Sequence, residues 1–386
     1  MATNNNNKIL NVPNLRFPEF SDEWELHATT DYFEFKNGLN PEAKRFGLGT
    51  KFISVMDILN NRYITYDKVI ASVQPKEDDL NEFGVNYGDI LFQRSSETLE
   101  DVGRANVYLD DRTALFGGFV IRGKKIGNYN PLFFRYLLSS PNARKSIIVK
   151  GAGAQHFNIS QDGLSKVLLN VPSIYEQEKI SQFINYIDER IETQSKIIQQ
   201  LQSLIKGIYD KVFEDISNYQ KLSSICTIQK GQQVNSEELS ELGDYYVMNG
   251  GIEPSGYYDR YNTNANTISI SEGGNSCGYV QYNNIPFWSG GHCYTLQNIK
   301  EGYNNLFLYH YLKAKEKEIM ALRIGSGLPN IQKKDLEKFI VPILPLEMQI
   351  GIVDGINKIE TKLKQEKDIL SAYQKQKAYL LKNLFI

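Results

Sequence analysis

The side chains that could do chemistry in this 386-residue chain fall into one charged stretch and several incomplete sets. From Arg112 to Gln161 there is no Asp or Glu, yet the stretch carries Arg112, Arg122, Lys124, Lys125, Arg135, Arg144, Lys145 and Lys150. A local positive field of this kind attracts polyanions. The formal net charge of the whole chain is only -2, which argues against a general coat for nucleic acid. Four histidines (His27, His156, His292 and His310) are scattered, and His292-Cys293 with Cys277 upstream lacks the paired spacing of a zinc site. There is no GxxxxGK[ST] loop to cradle a nucleoside triphosphate and no GxGxxG after a strand. Asn284-Ile285-Pro286-Phe287 approaches the [DN]PP[YF] motif of adenine-amino methyltransferases, but it lacks one proline and no glycine-rich cofactor motif precedes it. Asp31 with Glu42-Ala43-Lys44 loosely follows a nuclease D…ExK pattern, which arises often by chance. No catalytic set is complete, and the residues predict a non-catalytic recognition protein.

Composition narrows the class further. Hydrophobic residues at 41% and charged residues at 23% predict a globular chain rather than a disordered one. At this length two or three domains are expected. No apolar run approaches the roughly 18 residues that span a bilayer, so no membrane association is expected. The start, Met1-Ala2-Thr3 followed by Asn4 to Asn7, has no apolar signal core. Three cysteines fit neither a disulfide framework nor a CxxC pair. A cytoplasmic location is expected.

The elements that must position any site are revealed by an internal repeat. A shift of 172 positions carries Gly153 to Phe213 onto Gly325 to Phe385 without a gap. Asn158, Ile159, Leu164, Gln177, Ile180, Ile184, Asn185, Ile187 and Phe213 meet Asn330, Ile331, Leu336, Gln349, Ile352, Ile356, Asn357, Ile359 and Phe385. Upstream the match weakens: Pro131 to Leu138 resembles Asn305 to Leu312, and Trp24-Glu25-Leu26 resembles Gln220-Lys221-Leu222. The order is variable block, matched block, variable block, matched block.

The matched blocks predict long helices. Apolar positions run Ile180, Ile184, Ile187, Ile191, Ile198, Leu201, Ile205, Ile208 and Val212, with Gln194 as a polar interruption. Spacings of four and three make a coiled-coil seam. The second copy repeats it as Ile352, Ile356, Ile359, Leu363, Leu370, Tyr373, Lys377, Leu380 and Leu384, with Glu366 in place of Gln194. Some 35 residues give a rod of roughly 50 Å. Each seam needs a partner, and the two copies in one chain are expected to pair antiparallel under a pseudo-twofold axis. The variable blocks predict short strands, among them Phe52-Ile53-Ser54-Val55, Asp89-Ile90-Leu91-Phe92 and Gly118-Phe119-Val120-Ile121 in the first. In the second they include Thr267-Ile268-Ser269-Ile270, Gly278 to Tyr282 and His292 to Leu296. The fold class expected is α+β: two strand-rich mixed domains joined by an antiparallel pair of long coiled-coil helices.

Asn170-Val171-Pro172-Ser173-Ile174-Tyr175-Glu176-Gln177-Glu178-Lys179-Ile180, and Val341-Pro342-Ile343-Leu344-Pro345-Leu346-Glu347-Met348-Gln349-Ile350-Gly351-Ile352, resemble the P-x-L-x-E-Q-x-x-I opening of the helical regions in type I restriction–modification specificity subunits. Pro13 to Phe20 with Trp24-Glu25, Gly88 to Phe92 and Gly278-Tyr279-Val280 are similar to the same family, and the resemblance covers nearly the whole chain. Met348 and Ile174 depart from its motif. The resemblance implies a first target recognition domain at 1–172, a first helical spacer at 173–216, a second target recognition domain at 217–344 and a second helical spacer at 345–386. It implies that each recognition domain reads one half of a bipartite double-stranded DNA target. The helices would act as a ruler and dock two modification subunits, which bring S-adenosylmethionine; restriction subunits would bring ATP and Mg. No cofactor is expected in this chain. A rod of roughly 50 Å would span more than one DNA turn of about 34 Å. The alternative is a duplicated, coiled-coil-linked scaffold or ligand-binding protein.

Base reading needs Arg, Lys, Asn or Gln at groove edges, and phosphate contacts need Lys, Arg, Ser or Thr. The glycine-rich loop Gly151-Ala152-Gly153-Ala154-Gln155-His156-Phe157-Asn158 follows the basic stretch, and its counterpart is Gly325-Ser326-Gly327-Leu328-Pro329-Asn330. Gln155, His156, Asn158, Ser326 and Asn330 are therefore candidates. With them stand Arg94, Ser95, Arg104, Lys124 and Lys125 in the first domain, and Lys230, Gln232, Gln233, Asn275, His292 and Arg323 in the second.

Overall fold

The computed structural model describes residues 11–214, 216–325 and 327–386. The chain divides into two compact units, one holding the chain up to Gln194 together with Ile369–Ile386, the other Ser195–Asp368. In the first unit the strands are β1 (Glu25–Ala28), β2 (Phe33–Asn37), β3 (Phe46–Ile53), β4 (Ser72–Val73), β5 (Ile90–Gln93), β6 (Ser95–Ser96), β7 (Ala105–Val107), β8 (Leu115–Phe116), β9 (Val120–Lys125), β10 (Phe157–Asn158) and β11 (Leu168–Val171). Short helices α1 (Val55–Asn60), α2 (Asp79–Phe83), α3 (Pro131–Ser139), α4 (Pro141–Ile148) and α5 (Gln161–Ser165) stand between them. The main sheet has the order β2-β9-β5-β7, a second sheet runs β4-β3-β8, and β1 pairs with β11. Every residue of β5, Ile90-Leu91-Phe92-Gln93, is buried, as a continuous apolar run between two neighbours should be. The chain then enters α6 (Ile174–Glu214).

The second unit repeats this plan. Its strands are β12 (Tyr219–Lys221), β13 (Thr227–Lys230), β14 (Tyr245–Met248), β15 (Tyr257–Tyr258), β16 (Thr267–Ser271), β17 (Val280–Asn283), β18 (Trp288–Ser289), β19 (Cys293–Gln297) and β20 (Ile340–Pro342). Helices α7 (Asn305–Ala314), α8 (Glu316–Met320) and α9 (Lys333–Leu336) lead to α10 (Leu346–Asn383). Its main sheet, β13-β19-β16-β17, matches β2-β9-β5-β7 strand for strand. The small sheets match as well: β3 runs antiparallel to β4 and parallel to β8, and β14 runs antiparallel to β15 and parallel to β18. In β16 the buried serines are bonded, Ser269 Oγ accepting from Asn283 Nδ2 at 2.9 Å and Ser271 Oγ donating to Gly250 O at 2.7 Å.

Each unit is tied to its long helix by the same glutamine. Asn130 caps α3 through its side-chain oxygen, which accepts from Phe133 N, while its own N–H donates to Gln177 Oε1 at 3.0 Å. Gln177 Nε2 in turn donates to Pro172 O at 2.9 Å. Asn304 caps α7 in the same way and donates to Gln349 Oε1 at 2.8 Å, and Gln349 Nε2 donates to Gly302 O and Leu344 O at 2.9 and 2.8 Å. Both glutamines are buried. The shared Gln of the repeated motif is thus a joint between two backbone groups in the first unit and three in the second: it must both accept and donate, which a carboxylate or an aliphatic side chain cannot do.

The two long helices run antiparallel. In the first unit Asp188 of α6 meets Lys377 of α10 at 2.6 Å, and two residues further along α6 Arg190 reaches Tyr373, four residues back along α10, at 3.5 Å. Ile180, Ile184 and Ile187 share one core with Leu380, Leu384 and Phe385. In the second unit Tyr209 of α6 and Glu360 of α10 both approach His310 Nδ1 of α7, at 2.9 and 3.9 Å. The polar seam residues Gln194 and Glu366 are buried, as the seam requires. The helix α6 starts at Ile174, six residues before the seam begins, because the motif itself supplies the first turn, with Gln177 N donating to Ser173 O at 3.0 Å.

Each unit also buries ionisable groups beside the helix pair. Asp188 accepts from Tyr136 OH at 2.8 Å and lies 4.0 Å from Arg135 Nη1. Burial pulls Lys377 and Arg135 below their ordinary values. In the second unit the position matched to Asp188 is Glu360, and burial holds the neighbouring His310 down at about 4, so its ring is neutral at pH 7.

Candidate nucleic-acid interface

Three chain segments meet at one end of each main sheet. The first is the turn after the opening edge strand, Asn37-Gly38-Leu39-Asn40 in one unit and Lys230-Gly231-Gln232-Gln233 in the other. Gly38 N donates to Val120 O at 3.1 Å and Leu39 N to Phe116 O at 2.9 Å; Gly231 N donates to Cys293 O at 2.9 Å and Gln232 N to Ser289 O at 2.8 Å. A Cβ at Gly38 would collide with the carbonyl of Gly117, and one at Gly231 with that of Gly290, so only glycine lets these backbones approach. The second segment is the glycine turn that feeds the central strand, Gly117-Gly118-Phe119 and Gly290-Gly291-His292. The third is the end of the buried strand, Arg94-Ser95 and Glu272-Gly273. Arg94 N donates to Phe119 O at 2.9 Å, and Glu272 N donates to His292 O at 2.9 Å. Arg94 therefore corresponds to Glu272 and Phe119 to His292.

The glycine-rich loop closes the site from the side. Asn158 pairs with Ser95 between β10 and β6, and Ser95 Oγ donates to Asn158 Oδ1. Asn330 bridges to Gly273 in the same place. Gly153 and Gly325, matched by the repeat, have φ of +143° and +93°, backbone conformations that favour glycine. Arg94 Nη1 donates to Gly118 O at 3.2 Å. In the second unit Glu272 Oε1 accepts from Lys230 Nζ at 2.6 Å and Tyr294 OH at 3.0 Å, while His292 Nδ1 lies 3.7 Å from Glu272 Oε2. Lys230 and His292 are exposed, and Glu272 is buried beneath them. Along β19, Cys293 turns inward from His292; burial raises its thiol to about 11 and that of Cys226 to about 12. Among the described residues no group of three or more His, Cys, Asp or Glu side chains could hold a metal ion, and no helix is long and apolar enough to cross a membrane.

Two such clusters, built on one sheet plan but lined by unlike side chains, mark a duplicated fold. Residues 21–203 and again 216–372 match the type I restriction modification DNA specificity domain. The chain belongs to this family. The specificity domain occurs twice, once over each variable block with its following helix. The MjaX protein of Methanocaldococcus jannaschii, named as a type I restriction enzyme specificity subunit, is 23% identical over 402 residues, covering 92% of each chain. A type I specificity subunit named for Mycoplasma pneumoniae is 31% identical over 173 residues, 44% of this chain and 46% of that one. A type I restriction–modification S subunit from M. genitalium has the same fold, with a TM-score of 0.65 at 21% identity over 97% of this chain and 99% of its own.

In this specificity chain the structure gathers Arg94, Ser95 and Asn158 in the first unit, with Gln155 and His156 exposed on the adjoining loop. Arg104 lies at the same sheet end, since its carbonyl accepts from Gln93 N at 2.8 Å, and it pairs with Asp101. Lys124 and Lys125 are set apart at the far end of β9. Lys125 Nζ donates to Tyr129 O at 3.2 Å and lies over the Tyr129 ring, and burial pulls its ammonium below its usual value. In the second unit Lys230, Gln232, Gln233, His292 and Asn330 come together, with exposed Asn275 and Arg323 on the flanking turns. Ser326 lies outside the described residues. Sequence reasoning missed Asn37, Asn40 and Glu272. Asn37 and Asn40 stand where the second unit has Lys230 and Gln233, and the signal was a strand followed by glycine in both blocks.

Proposed function

We propose that this chain is the sequence-reading subunit of a type I restriction–modification complex, with recognition domains at 1–172 and 217–344 and helical spacers at 173–216 and 345–386. Each recognition domain takes one half of a bipartite double-stranded DNA target, using the cluster around Arg94, Ser95, Asn158, Gln155 and His156 in the first. The second uses the cluster around Lys230, Gln232, Gln233, Asn275, His292, Arg323 and Asn330, and Ser326 is a further candidate from the sequence. Arg104, Lys124 and Lys125 add positive charge along the first domain. Exposed side chains of α6 and α10, such as Tyr175, Tyr186 and Tyr379, offer a surface to two modification subunits. S-adenosylmethionine belongs to those subunits, and ATP with Mg to the restriction subunits; this chain performs no catalysis and works in the cytoplasm.

The observation that carries this reading is the repetition of one hydrogen-bonded framework with different side chains at matched positions, Arg94 against Glu272 and Phe119 against His292. A scaffold repeats its contact residues along with its framework, whereas a pair of readers keeps the framework and varies the tips. Filter binding of duplex DNA selected from a random pool tests it. Affinity should fall steeply and log-linearly with salt, and the lone chain given S-adenosylmethionine should methylate nothing. Binding that is indifferent to salt and sequence would refute the proposal.

A further inference from the structure

Phe119 and His292 occupy one place in two copies of the same framework. Each follows two glycines, and each offers its carbonyl to the residue that ends the buried strand. The fold does not need an aromatic ring there, because Phe119 is 69% exposed and the second unit has a polar residue instead. The ring stands at the rim of an apolar groove of about 430 Å³ whose walls include Phe46, Phe52, Val55 and Met56. Phe46 and Met56 are themselves exposed. An uncovered cluster of this kind beside polar tips marks a contact surface rather than part of the core.

Polar side chains line the groove as well, among them Asn40, Ser54 and Ser95. The Gly117–Gly118 turn, to whose Gly118 carbonyl the Arg94 guanidinium donates, lines it too. A flat object laid across Phe119 therefore meets both hydrocarbon and hydrogen-bonding groups. The second unit differs where the first has Val55 and Met56. Gly117 N donates to Ile53 O and Gly290 N to Met248 O, so Ser54-Val55-Met56 correspond to Asn249-Gly250-Gly251. There Asn249 Oδ1 accepts from His292 N at 3.0 Å, in place of an apolar wall.

We propose that the first unit recognises thymine in its half-site through the 5-methyl group, which seats on Phe119 and Met56 while Arg94 and Ser95 meet the polar atoms of the same or the adjoining base pair. This rests on the reading of the chain as a DNA sequence reader. Thymine alone presents a methyl group in the major groove, and apolar side chains read it by contact. The second unit, with Asn249, Glu272 and His292 at the matched positions, reads without such a contact.

The test uses the full chain and a duplex selected by it from a random pool. Each thymidine is replaced singly by deoxyuridine, which removes only the methyl group, and binding is measured at fixed salt. At one or more positions in one half-site deoxyuridine should weaken binding roughly three- to fivefold, the factor equivalent to burying about one methyl group. Replacements in the other half-site should be neutral. Phe119→Ser should bind the thymidine and deoxyuridine duplexes alike, and Met56→Ser, in the lining of the same groove, should reduce the discrimination. The proposal is overturned if every replacement is neutral, if the discriminated half-site has no thymine in its selected sequence, or if Phe119→Ser still discriminates. If no bipartite sequence is selected at all, it is the functional reading that fails, and this proposal goes with it.

Discussion

Gln349 sits at zero exposure and joins three backbone groups: the N–H of Asn304 and the carbonyls of Gly302 and Leu344. Gln349→Ala strands all three and leaves a side-chain-sized void. Each buried polar group left unpaired costs roughly 1–3 kcal/mol; Gly302 is exposed and its carbonyl can turn to water, so the Asn304 N–H, the Leu344 carbonyl and the void together set an expected loss of about 3–4 kcal/mol. Gln177→Ala strands two groups, Asn130 N–H and Pro172 C=O, and should cost about 2–3 kcal/mol by the same reasoning. The chain carries its own reporters. It has two tryptophans, Trp24 in the first unit and Trp288 in the second, so Trp24→Phe and Trp288→Phe backgrounds isolate each signal. Urea unfolding with a slope of about 2 kcal/mol/M should move the Trp288 midpoint down by about 2 M for Gln349→Ala and the Trp24 midpoint by about 1 M for Gln177→Ala. Gln349→Glu keeps the acceptor for Asn304 but turns an anionic oxygen toward two carbonyls. It should lose at least as much at pH 7 as Gln349→Ala, and recover part of the loss as pH falls from 7 towards about 4.5, because burial against two carbonyls raises the carboxyl of the folded state above its unfolded value. Midpoint shifts under about 0.5 M, or equal shifts at both tryptophans from either substitution, would refute the joint.

Three further outcomes follow from the same geometry. Lys377→Met removes the nearer cation of buried Asp188 and leaves only Arg135 at 4.0 Å, so it should cost about 2–3 kcal/mol in thermal unfolding; adding Asp188→Asn should restore most of it, and simple additivity of the two would count against the pair. His310 has its value lowered from 6.5 to about 4 by burial, so its contribution is complete above about pH 6.5 and is withdrawn as pH falls towards 4. The second unit should lose about 2 kcal/mol between pH 6.5 and 5 by the Trp288 signal, and His310→Asn should flatten that slope. Arg94→Ala should relax the selected sequence in one half-site only, by about 1–3 kcal/mol of discrimination, and Lys230→Ala in the other only; relaxation of both half-sites by either substitution would contradict separate readers.

The legible part of this fold was the part that repeats without a gap. Gln177 falls on Gln349 at a constant offset, so the helices, their seams and the buried polar pair Gln194 and Glu366 could be read directly, and so could their antiparallel pairing. The readers were opaque because each matched position carries its own offset. Phe119 falls on His292 after 173 positions, Arg94 on Glu272 after 178 and Ile53 on Met248 after 195, since the loops between strands differ in length. Only the backbone hydrogen bonds reveal these equivalences. Glu272 was missed because a carboxylate is an unexpected residue beside phosphates, and its burial under Lys230 and His292 is a tertiary fact. The basic stretch suggested one patch. Its members are in fact dispersed: Arg122 is buried with its guanidinium donating to Gly84 O, Arg144 holds the carbonyls of Glu100, Val102 and Gly103, and Lys125 lies against Tyr129. Charge in a sequence does not tell surface from scaffold when long side chains can reach inward to backbone carbonyls.

The central claim is that one polypeptide reads duplex DNA at two separate places, each with its own copy of the same framework. Sequencing the methylated bases in cells carrying the complete system, with the native chain and with a chain whose helix between Ile180 and Phe213 is lengthened, tests it most directly. The native chain should specify two short half-sites around an unspecified spacer, and the longer helix should change the spacer while both half-sites keep their sequence. A single uninterrupted motif, or half-sites whose bases change with helix length, would contradict the account.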